Sequence, residues 1–181
     1  MSTVEVPPEL IGAWRRSGLF IDGVRQIDYC DVLWLQSSTW FADIRLRLDP
    51  AAEPLSPAAR RMARPFASAG TATWADPIFT WTSTLGNSGP PDANSLNWED
   101  GVVVERGTIA LDHETFTFAE EWLRMNGESD EPIVTCRDRY LHIAVGKWAI
   151  AASASDNDGP LIAKRLKNNG HTWTEVGSVQ V

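Results

Sequence analysis

Residues 31–48, DVLWLQSSTWFADIRLRL, alternate large apolar side chains with polar ones and carry Asp43 and Arg45 in one phase with Phe41. Successive side chains of a strand point to opposite faces, so Phe41, Asp43, Arg45 and Arg47 share a face. In the hairpin strand before it, Val32, Trp34 and Gln36 fall together. A face that mixes aromatic rings with a carboxylate and a guanidinium does not suit a dry core, because a buried charge needs a partner. It suits the wall of a cavity.

At 181 residues the chain is long enough for one compact unit with a core, and 43% hydrophobic with 22% charged residues is ordinary globular composition. Nine tryptophans are unusual. Most strand tryptophans are core residues, but this number points to several lining one pocket. A net charge of −8 with a pI near 4.8 disfavours nucleic acid and anionic membranes as partners. The cluster Arg60, Arg61 and Arg64 is short and reads as the solvated face of a helical turn. The N-terminal MSTVEVPPEL does not resemble a signal peptide, and no apolar stretch approaches membrane-span length. Cys30 and Cys136 lack ligand-type spacing and read as two buried thiols of a reduced, cytoplasmic chain.

Strand signals recur at short intervals between turn residues. They predict strands over 11–21 (closed by Asp22-Gly23), 24–36, 40–48, 71–76, 78–85, 101–110, 115–125 and 133–137. A long apolar strand over 139–152 follows, with Gly146 as a bulge. A final hairpin takes in 161–166 and 172–179. Ser56-Pro57 opens one short helix that runs to Pro65, a lid or plug beside the sheet. Residues 87–97 (NSGPPDANSLN) and 153–159 read as loops, and acidic 127–131 as an exposed connection. No repeat and no long linker divides residues 1–181, which form a single domain. The fold class is all-β, an antiparallel up-and-down barrel of about 8–10 strands with one short helix; closure removes the sheet edges. A sandwich is the alternative.

Gly12-Ala13-Trp14, entered from a Pro-Pro turn, resembles the Gly-x-Trp signature of lipocalins and the wider calycin superfamily. That resemblance implies a tryptophan closing the barrel base with a late-strand arginine stacked on it, and Arg165 lies in a suitable late position. Trp34–Gln36 (WLQ), Phe41–Arg45 (FADIR), Glu105-x-Gly107 and Glu120–Arg124 (EEW-x-R) look like a little-described group of lipocalin-like fungal and bacterial proteins. The likeness speaks to fold and not to activity.

With the aromatic faces turned inward, the interior collects Gln36, Asp43, Arg45, Glu105, Glu120, Trp122 and Arg124. Trp34, Phe41, Trp81 and Phe118 supply aromatic wall, and Tyr140 and His142 join it from a later strand. This predicts binding of a small apolar or amphipathic organic molecule with an acidic group held by Arg45. The alternative is a cofactor-free lyase, isomerase, hydratase or cyclase in which Asp43, Glu105 or Glu120 is the acid or base and Arg45 stabilises an oxyanion. A third reading is a protein-interaction module that exposes residues 87–97. Asp43/Arg45 and Glu120/Arg124 read equally as structural ion pairs or as a solvated face. His142 is open between interior base, haem ligand and core histidine, whereas His113 and His171 sit in surface turns. No catalytic triad, phosphate loop or metal motif is present, so no metal and no cofactor is expected.

Overall fold

The computed structural model describes residues 5–54, 56–86, 89–127, 130–155 and 159–181. β1 (Gly12–Ile21) turns through Asp22-Gly23 into the two-residue β2 (Val24–Arg25). Both turn residues have positive φ (49° and 76°), the twist a two-residue hairpin requires. β3 (Cys30–Gln36) and β4 (Trp40–Arg47) follow, then α1 (Pro57–Met62), β5 (Phe66–Ala75), β6 (Ile78–Ser83), β7 (Asp92–Glu99), β8 (Val102–Leu111) and β9 (Glu114–Arg124). Leaving β2 aside, each of these strands pairs antiparallel with the next, and β9 pairs back onto β1. The result is a closed eight-stranded antiparallel barrel with β2 as an extra strand on β1, consistent with a calycin-like fold.

The remaining strands do not enter the barrel. β10 (Ile133–Arg137), β11 (Tyr140–Val145), β12 (Trp148–Ala154), β13 (Leu161–Asn168) and β14 (Trp173–Gln180) form a separate five-stranded sheet. This sheet lies on the outside of β1, β3, β4 and β5. Leu33, Leu35, Ala42 and Ile44 point out of the barrel and pack with Leu141, Ile143, Ile150 and Ala163 in one core. A second core, which holds Trp14, Trp34, Phe41, Phe79 and Trp122, fills the barrel. β3 and β4 therefore bury large residues on both faces, with Asp43 and Arg45 among those on the inner face of β4, and this explains the density of large residues in 31–48.

Three local expectations change. The predicted loop 87–97 contains β7, while Asn87 and Ser88 lie outside the described residues. The predicted long strand 139–152 is a hairpin, with Gly146 (φ 56°) and Lys147 as its turn. Strand 24–36 is interrupted between Arg25 and Cys30. The expected connections at 127–131 and 153–159 include residues 128–129 and 156–158, which lie outside the described residues. Cys30 is buried, but Cys136 is exposed rather than buried. Among the described residues no helix is long and apolar enough to cross a membrane.

The two barrel ends are closed differently. At one end a 3-10 turn over Pro8–Leu10 accepts the Trp14 indole N–H at the Leu10 carbonyl (2.9 Å). Arg124 stacks on the Trp14 ring at 4.7 Å and donates to the Ile11 carbonyl. The arginine over the base tryptophan is thus Arg124 of the last barrel strand. Arg165, the expected candidate, instead stacks on Trp148 and donates to Asp31 Oδ2 at 2.6 Å, tying the outer sheet to β3. At the other end lies α1. Its N-cap is Ser56, whose Oγ accepts from the Ala59 N–H. Ala58 and Met62 of the helix pack with Leu19 and Ile21.

Candidate functional site

Between α1 and the aromatic core the barrel holds an open cavity of about 780 Å³, which runs out to Pro90, Leu161 and Val181. Trp34, Phe41, Trp81, Phe118 and Trp122 wall it, and Asp43, Arg45, Asp92, Glu105 and Glu120 supply its polar groups. It opens past the exposed residues Arg61, Arg64 and Pro65 at the end of α1. The Trp34 ring lies 5.9 Å from Trp81 and 5.5 Å from Trp122, at 72° and 71°, so the indoles form panels near right angles.

The charged groups come from five strands. Asp43 and Arg45 (β4) lie on the inner face, where Asp43 pairs in register with Trp34. Asp43 is half-buried, and its Oδ1 has neither solvent contact nor hydrogen-bond partner. Burial, opposed by Arg45 and reinforced by Glu120, pushes its carboxyl up to about 6. Arg45 donates from Nη1 to the Met62 carbonyl (2.8 Å) and brings Nη2 within 3.9 Å of Glu120. Its Nε is buried without a partner.

Glu120 (β9) is held chiefly by Arg16 (β1), Nη1 to Oε1 at 2.5 Å, with both side chains buried. Arg16 also donates from Nε and Nη2 to the two oxygens of Asp28, at 2.7 Å each. Burial alone would pull the Arg16 pKa down; Glu120 and Asp28 outweigh it and hold the guanidinium charged. Glu105 (β8) accepts from Asn94 Nδ2 (2.8 Å) and from the Trp122 indole N–H (3.1 Å). The same Asn94 amide donates to Asp92 (3.1 Å), so one side chain of β7 bridges two carboxyls. Burial and the nearby Glu120 and Asp92 charges raise Glu105 well above the usual carboxylate range. Burial also raises Asp92, against its Asn94 bond. Gly107 makes room for this bridge: a Cβ there would sit 2.2 Å from Asn94 Oδ1.

The structure therefore brings Asp43, Arg45, Glu105 and Glu120 together with the aromatic wall. Four other candidates lie elsewhere. Gln36 is buried toward the closed end, where its Oε1 accepts from the Trp34 indole and its Nε2 donates to the Ser37 carbonyl. Arg124 sits over Trp14 at that same end. Tyr140 and His142 alternate with Leu141 and Ile143, which face the barrel, so they occupy the far face of the outer sheet. Burial lowers the His142 pKa. The sequence did not single out Arg16, Asp92 or Asn94 as site residues. Arg16 precedes an irregularity in β1 between Arg16 and Gly18, beyond which the inward positions shift from even (Trp14, Arg16) to odd (Leu19, Ile21). Compared with protein-family models, curated proteins and solved structures, the chain matches none of them.

Proposed function

We propose that the barrel binds a small amphipathic organic molecule. Its apolar body would lie against Trp34, Trp81 and Phe118, with its polar end among Asp43, Arg45 and Glu105. The observation that carries this reading is a cavity of about 780 Å³ in which Trp34, Trp81, Phe118 and Trp122 meet Asp43, Arg45, Asp92 and Glu105. An aromatic wall with a few placed polar groups is the usual composition of small-molecule pockets.

Titration with the fluorescent neutral probe N-phenylnaphthylamine tests it. Ser68 lines the cavity and pairs with Asp43 across β4 and β5, so Ser68→Trp places an indole in the cavity rather than in packed core. The variant should unfold at the wild-type temperature and bind the probe at least about tenfold more weakly, a change of about 1.4 kcal/mol. Equal binding by both proteins would place the probe outside the barrel.

A second reading, a cofactor-free lyase or isomerase, is favoured by one observation. Asp43, with a pKa pushed up to about 6, stands beside Arg45 in an aromatic cavity. A base poised near the working pH and a cation next to it suit proton abstraction beside a carbonyl. Solvent deuterium uptake into a panel of aromatic ketones, read by mass spectrometry, should then occur with wild type and disappear in Asp43→Asn. Uptake that persists in the variant would remove Asp43 from that role.

A further inference from the structure

Resting on the binding reading above, we propose that the buried end of the ligand is a cationic amine, received by Asp43, Asp92 and Glu105 and by the faces of the surrounding indoles. An acidic group on Arg45, as the sequence suggests, fits the observed cavity less well. The reason is a charge count made group by group.

Four carboxyls face the cavity: Asp43 from β4, Asp92 from β7, Glu105 from β8 and Glu120 from β9. Glu120 has its counter-ion in Arg16, which is itself shared with Asp28. Arg45 already donates to the Met62 carbonyl, lies near Glu120, and rests over the Phe66 ring at 5.5 Å. Among the described residues, no lysine or arginine forms an ion pair with Asp43, Asp92 or Glu105. Asn94 ties Asp92 to Glu105 with a neutral amide, which satisfies hydrogen bonds but supplies no charge. The deep end of the cavity therefore holds more carboxyls than guanidiniums, with Arg45 the cation beside Asp43.

The walls favour the same sign. Indole faces carry negative electrostatic potential and attract ammonium groups. Trp34 stands at 72° to Trp81 and 71° to Trp122, so a group among them meets both ring faces and edges. An anion at this spot would approach Asp43, Asp92 and Glu105, which outnumber Arg45, and the negative ring faces at low dielectric. Among the described residues no three His, Cys, Asp or Glu groups converge as a metal site would. The spread of acceptors suits an organic ammonium, with its N–H donors pointing in different directions.

Acidity should control this binding. Asp43, Asp92, Glu105 and Glu120 are the carboxyls facing the site, and Arg16, Arg45 and the mouth residues Arg61 and Arg64 are the guanidiniums around it. Protonating Asp43 as pH falls through about 6 removes an acceptor charge, so amine affinity should fall with it.

The test is calorimetric titration of the full chain with three matched probes: naphthylethylamine, naphthylethanol and naphthylacetate, at about pH 7.5, where the amine is charged. The amine should bind at least about tenfold tighter than the alcohol, and the acetate should bind weakest. The combined variant Asp92→Asn with Glu105→Gln should abolish the amine's advantage over the alcohol. A pH series on wild type gives the same answer without any variant: the amine-to-alcohol ratio should shrink below about pH 6. Alcohol binding with an equal amine, or an acetate that binds tighter than the amine, overturns the charge assignment and leaves cavity binding standing. Failure of all three probes overturns both.

Discussion

Replacing Arg16 with methionine should destabilise the protein by about 3–5 kcal/mol, the usual consequence of stranding a buried charge by removing its partner. Arg16 and Glu120 are both buried, and their 2.5 Å contact joins the first and last strands of the barrel, β1 and β9. Its other two nitrogens grip Asp28, which lies in the interruption between β2 and β3. One guanidinium therefore holds the closing seam of the barrel and the point where the β3 side of β1 gives way. Methionine fills similar volume but leaves Glu120 facing Arg45 across 3.9 Å, too far for a hydrogen bond. The measurement is urea unfolding of Arg16→Met, Glu120→Gln and the double variant. Glu120→Gln in the Arg16→Met background should recover a large part of the loss, since a neutral amide no longer needs a counter-ion. Arg16→Lys should fall between, because a single ammonium cannot fork between two carboxylates. A loss below about 1 kcal/mol in Arg16→Met would mean that Glu120 reaches water or Arg45, and the assigned role would fail.

The barrel was legible because its punctuation is chemical. Asp22-Gly23 adopts positive φ at both residues, and Ser56-Pro57 caps the helix. The inward phase of β3, β4 and β9 was legible too, since aromatic and charged residues share parity there. Other features left weaker traces. β7 has Asp92 and Asn94 on the inner face and Ser95 and Asn97 on the outer, so its apolar alternation is confined to Leu96 and Trp98. A strand that lines a polar cavity loses the signal by which strands are found. The outer sheet was hidden for the opposite reason. β11 and β12 are apolar on both sides of the Gly146-Lys147 turn, and the hairpin read as one strand. Once five strands leave the barrel, the last barrel strand is β9, which moves the base-stacking arginine from Arg165 to Arg124. The same departure carries Tyr140 and His142 away from the cavity. Phase along a strand was readable from residues 31–48, but which sheet a strand joins depends on contacts distant in sequence.

Asp43→Asn should stabilise the protein at neutral pH, by up to about 3 kcal/mol, while damaging the site. Burial raises the Asp43 carboxyl from 3.8 to about 6, so the folded protein holds its proton more tightly than the unfolded chain does. Below about pH 4 both states are protonated and nothing is lost. As pH rises from about 4 to 6 the unfolded state releases the proton first, and stability falls. Above about 6 the full penalty applies; at roughly 1.4 kcal/mol per pKa unit, a rise of about two units gives the figure above. Asparagine keeps the shape and removes the penalty, though it also removes an attractive charge from beside Arg45, so the observed gain should lie between about 1 and 3 kcal/mol. Thermal melts of wild type and variant across about pH 4 to 8 decide it: the variant should decline less than wild type between about pH 4 and 6, with Asp92 and Glu105 still contributing, and lie above it at pH 7. Parallel profiles would show that Asp43 titrates as an ordinary carboxylate and that water reaches it freely. A stabilising substitution at a cavity carboxyl is what a site held at the expense of the fold produces. A carboxylate serving only the architecture would have no reason to sit unpartnered at Oδ1 with Arg45, Asp92, Glu105 and Glu120 among the side chains lining the same cavity.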